Sequence, residues 1–88
     1  MVIEEQKAAA AAAQELWALL LPDVTPPEAY RFWVWTERFP EAAVKRGIVR
    51  AAAKHTKMAS TSTPMTPEDA ARYCSSVIRN EAALMEQQ

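Results

Sequence analysis

At 88 residues, half of them apolar and only one a glycine, the chain has room for one modest hydrophobic core and none for two. A net charge of −1 argues against a uniformly basic nucleic-acid binder, and a single cysteine and a single histidine leave no internal disulfide and no clustered metal ligands. The wealth of Ala, Leu, Glu, Gln, Arg and Met favours helix almost everywhere, so the expected fold is all-α, a small bundle of about four helices in a single domain.

Residues 1–22 read as an N-terminal helix rich in alanine and leucine. Glu4 and Glu5 sit where the helix dipole favours acids, and Pro22 stops the helix. Its last turn carries Leu16, Trp17, Leu19 and Leu20, while the six alanines from Ala8 to Ala13 have little to bury. Gln14, Glu15 and the leading glutamates rule this segment out as a signal peptide or a membrane span. The helical core then occupies residues 25–88.

"TPPE" at 25–28 spells a capping box, with Thr25 as the cap and Glu28 reaching back to it. The helix it opens should run through Phe39 and carry large apolar residues on two sides, Tyr30, Trp33 and Val34 on one and Phe32, Trp35 and Phe39 on the other. Such width calls for burial against more than one neighbour. Trp35 is also a candidate platform on which a base could stack.

Pro40 breaks and restarts the helix, and the third segment contains "KRGIVRAAAKHTK", residues 45–57, with five of the ten Lys and Arg and no carboxylate. By segment the charge runs −4 over 1–43, +5 over 44–57 and −2 over 58–88. At about 100° per residue, Val44, Ile48, Ala51 and His55 share one face, and Arg46, Arg50, Lys54 and Lys57 gather on the opposite one. Gly47 interrupts the helix at a cost of about 1 kcal/mol relative to Ala. Close approach of another backbone, or a bend, would account for it. A polar loop follows at 58–65 and is expected to be the most mobile internal segment. "TPED" at 66–69 repeats the helix-start grammar and opens the last helix, whose apolar side holds Ala70, Tyr73, Cys74, Val77, Ile78, Leu84 and Met85.

Laid end to end, "PPEAYRFWVWTERFPEAAVKRGIVRAAAKH" and, after the loop, "ARYCSSVIRNE" resemble the DnaD-like domain of bacterial and phage replication-initiation proteins, over about residues 26–81. The closing helix of that family carries a Tyr-x-x-x-Ile-x-x-x-Trp signature. Tyr73 matches the tyrosine, Val77 stands at the isoleucine, and Glu81 occupies the tryptophan position. The resemblance implies a non-enzymatic replication accessory domain that contacts DNA and helps load the replicative helicase.

The residues themselves support two kinds of partner. Arg46, Arg50, Lys54 and Lys57, with Arg72 and Arg79 seven apart on the last helix, could meet the phosphates of single-stranded DNA without reading sequence, with Trp35 or Tyr73 stacking on bases. The alternative is an interaction module without DNA affinity, in which Leu16, Trp17 and Leu20 dock on a replication protein or on a second copy of the chain. His55 on the apolar face and Cys74 on the last helix read as core residues rather than catalysts. Neither a cofactor nor an enzymatic activity is expected, and a lone cysteine suits a cytoplasmic setting.

Overall fold

Four helices in chain order account for nearly all of the chain: α1 (Ile3–Leu20), α2 (Ala29–Arg38), α3 (Glu41–Ala59) and α4 (Pro67–Glu86). They come from a computed structural model that describes residues 3–61, 63 and 65–87, and among these residues there is no strand. The all-α bundle read from composition is the fold. Ser62 and Pro64 of the expected mobile loop lie outside the described residues, while Met65 just beyond them is buried and ties the end of that connection to the core.

Prolines and caps set the helix boundaries. Thr66 accepts a hydrogen bond from the Asp69 backbone N–H at 3.1 Å with Pro67 in the first turn, as "TPED" predicts. "TPPE" behaves differently. The helix starts only at Ala29, and Glu28 takes the cap position in an extended conformation (ψ 148°) without a side-chain hydrogen bond. The second proline explains the difference. Each residue before a proline is disfavoured at helical angles, which acts on both Thr25 and Pro26; neither is helical, and Thr25 is too early to cap. The same rule ends α2 at Arg38: Phe39 precedes Pro40 and is extended (φ −127°, ψ 152°).

α1 runs antiparallel to α2, with Gln6 near Trp33 and Glu37 at one end and Trp17 against Phe32 at the other. It also packs on α3, and α3 in turn makes its closest association with α4. The first helix therefore folds back into the bundle. Trp17 is fully buried, donates from its ring nitrogen to the Val24 carbonyl at 3.2 Å, and meets Phe32 edge to face with centroids 6.0 Å apart. Phe32 meets Trp35 in the same manner at 5.5 Å. Three aromatic rings thus carry the core from α1 across α2, supplying the buried area that alanines cannot.

Gly47 has the packing role its position calls for. A Cβ there would collide with Ile78 Cγ1 and lie 3.0 Å from the Cys74 carbonyl oxygen. The first of these contacts could be relieved by a side-chain rotation, but the second is backbone. The missing side chain lets α3 and α4 approach closely enough to bury Val44, Ile48, Cys74 and Ile78 between them. The domain measures 43 × 28 × 17 Å, a thin slab whose seams between helices remain near the surface.

Candidate functional site

The basic residues of α3 lie along the α3–α4 seam. Arg46 Nη1 stands 3.0 Å from Glu81 Oε2, and Arg50 Nη2 stands 3.1 Å from Glu81 Oε1. One turn further on, Lys54 Nζ sits 4.2 Å from the centroid of the Tyr73 ring. Two rows of residues four apart therefore meet in antiparallel sense, 46, 50 and 54 from α3 against 81, 77 and 73 from α4. This is the regular outcome when i, i+4 ridges of two helices pack.

The strip lies opposite the apolar face of α3 as expected, but it is flanked by α4 and partly paired. Helical angles place the strip on the far side of α3 from Val44, but they do not say that α4 flanks it within reach of an arginine. Glu81 lies over the seam with only 5% of its side chain exposed, whereas each arginine keeps 62% of its own. A carboxylate so buried requires charged partners, and here both oxygens have one. Lys57, in the last turn of α3, is exposed and has no partner among the described residues. Lys45, outside the strip, pairs with Glu41 one turn back.

Tyr73, Val77 and Glu81 lie together beneath the strip. Tyr73 is partly covered by Lys54, Val77 is buried, and Glu81 anchors the two arginines. Beside them is a shallow hollow floored by Met58 and Tyr73 and rimmed by Arg50, Lys54 and Lys57. Arg72 borders the adjoining depression, together with Asp69 one turn earlier on the same helix. Arg79 belongs to a different surface, the furrow between α2 and α4, and Arg72 stands on the crest between the two. The six expected DNA contacts thus fall into two groups.

Two expected aromatic contacts are withdrawn. Trp35 is buried and donates its ring N–H to Ser75 Oγ at 3.0 Å, so it offers no face to a base. Trp17, expected among the partner contacts, is sealed in the core, because the small alanines of α1 allow the helix to lie close against α2 and α3. Of its companions Leu16 is half-buried against the core and Leu20 is exposed at the helix end, next to Leu19, which is 74% exposed.

The candidate chemical groups are equally well placed by packing. Cys74 is fully buried, and burial pushes its thiol up to about 12, so it stays protonated and unreactive. His55 is half-buried on the inner flank of α3, with a buried Nδ1 that has no hydrogen-bond partner among the described residues. No three His, Cys, Asp or Glu side chains converge among the described residues, and no described helix is long and apolar enough to cross a membrane. No known protein family, curated protein or solved structure matches the chain.

Proposed function

We propose that the chain is a non-enzymatic accessory domain of the DnaD-like kind that binds the phosphate backbone of single-stranded DNA through the α3–α4 face, in replication of a bacterial or phage element in the cytoplasm. The observation that carries this reading is the charge excess of that face. Arg46, Arg50, Lys54, Lys57 and Arg72 gather there against only two carboxylates, Glu81 and Asp69, in a protein whose net charge is −1. Glu81 neutralises part of the strip and leaves the remainder open to solvent. Lys54 lies on the Tyr73 ring, so base stacking there would first require its displacement, and phosphate contacts are the main source of affinity. Binding of this origin is weak, insensitive to base sequence and steeply dependent on salt.

Fluorescence anisotropy of a labelled oligothymidylate tests it. An excess of about three charges gives a fall in affinity of about tenfold to twentyfold between 50 and 200 mM salt. Lys57→Glu reverses a charge that has no ion-pair partner among the described residues and should weaken binding without changing the far-ultraviolet circular dichroism. Binding that is absent at low salt, or indifferent to salt, ends the proposal.

Leu19 favours a second reading. With Leu20 and Ile3 it makes α1 the helix with the most exposed large aliphatic side chains, which suits docking on another helix, including a second copy of the chain. Sedimentation equilibrium should then show a dimer that Leu19→Gln converts to monomer. A wild-type chain that is monomeric at about 100 µM excludes self-association as the use of these leucines.

A further inference from the structure

α2 and α4 begin side by side and run in the same sense, with Pro26 near Pro67 at one end and Phe39 near Arg79 at the other. Their one side-chain hydrogen bond is that from Trp35 to Ser75, and the furrow between them is open to solvent along its length. Four guanidinium groups line it, those of Arg31, Arg38, Arg72 and Arg79. Among the described residues none of the four has an ion-pair or hydrogen-bond partner for its side chain, in contrast to Arg46 and Arg50 across the molecule. None of the chain's lysines lines the furrow.

We propose that this furrow docks an acidic segment of a partner polypeptide, a site that meets the α3–α4 face only at Arg72 on the crest between them. Three features select that occupant. Arginine presents a planar fork that accepts a carboxylate through two parallel hydrogen bonds, and all four cations here are arginines. Toward its Phe39 end the furrow is apolar, with the half-buried Val34 and Phe39 below and the 60% exposed Tyr30 on the rim, so aliphatic or aromatic side chains of a peptide have a surface to cover. The furrow's two carboxylates, Glu28 and Glu68, are confined to the end where both helices start. They would repel a continuous phosphate backbone there, whereas a peptide that is acidic in its middle and basic at one end matches the whole length.

The test uses the full chain labelled with nitrogen-15 and a peptide of about twelve residues in which Glu alternates with Leu and Phe and two Lys close one end. Amide shifts should concentrate on Arg31, Val34, Ser75 and Arg79, and the same peptide with Gln in place of Glu should bind at least about tenfold more weakly. The double change Arg31→Gln with Arg79→Gln should weaken the acidic peptide by a similar factor and leave oligothymidylate binding unchanged. Arg79→Lys, which keeps charge and fold but removes the fork, should weaken the peptide severalfold. Peptide shifts outside the furrow, equal binding of the Gln peptide, or full tolerance of Arg79→Lys would overturn the proposal. So would oligothymidylate shifting the furrow amides, which would make the furrow a nucleic-acid site. Oligothymidylate binding that survives Lys57→Glu undiminished, with the peptide still seated in the furrow, would count against the α3–α4 reading alone.

Discussion

Trp17→Ala is expected to cost about 3–5 kcal/mol of folding stability, the range for removing a fully buried aromatic side chain. A domain of this length has about 4–13 kcal/mol in total, so the change takes from about a quarter of it to all of it. The substitution removes more than one ring. Trp17 presents its edge geometry to Phe32, Phe32 does the same to Trp35, and Trp35 is the donor to Ser75 on α4. Loss of the first ring opens a cavity under α1 and leaves the Val24 carbonyl without its indole partner. Urea titration followed by circular dichroism should show the midpoint falling sharply, with a thermal midpoint lower by about 15 °C or more. Leu19→Ala, two residues away on the exposed side, should leave both midpoints nearly unchanged. Equal effects at the two positions would mean that α1 does not lie on α2 and α3 through its Trp17 face.

The helices were legible in the sequence because their boundaries are written in local chemistry. Pro22, Pro40 and the Thr66 cap act within a turn of the residues they terminate or start, and Gly47 marks a close neighbour or a bend, of which the approach of α4 is the one present. "TPPE" and "TPED" show how far that legibility extends. The two share a grammar, yet one extra proline moves the start of α2 to Ala29 and leaves Thr25 idle. Tyr30 is exposed and Thr36 buried, an inversion of their usual places, because α2 lies between α1 and the furrow and its inner side is set by Phe32 and Trp35. Thr36 can be buried because its hydroxyl donates to backbone carbonyls of its own helix at 2.9 and 3.1 Å.

The candidate site was only half legible. A helical wheel places Arg46, Arg50 and Lys54 in one row correctly, but a wheel describes one helix, and the reach of an arginine spans to the next. Glu81 was the available signal: it is the one carboxylate on α4 in line with Tyr73 and Val77, and an acid in a buried row needs cations opposite it. Arg31 and Arg38 carried no comparable sign. They sit on an aromatic helix among residues that read as core, and their grouping with Arg72 and Arg79 depends on α2 and α4 lying side by side, which no local pattern encodes.

Glu81→Gln separates a structural use of the arginines from a functional one. The side chain keeps its shape and one acceptor oxygen, and both guanidinium groups remain more than half exposed, so water replaces most of what they lose. Stability should therefore fall by only about 1 kcal/mol, from weakened charge-assisted hydrogen bonds. The charge of the α3–α4 face rises by one at the same time. If that face holds single-stranded DNA, oligothymidylate affinity at low salt should rise severalfold, and the slope of log affinity against log salt should steepen by about 0.7. Both quantities come from the same anisotropy titration, and a circular dichroism melt run beside it shows that the fold is retained. Unchanged affinity in a folded variant would mean that Arg46 and Arg50 serve only to satisfy Glu81. Weaker binding would mean that the carboxylate holds the two guanidinium groups in the orientation the phosphates need, and Glu81→Leu, which removes both acceptors, should then weaken it further.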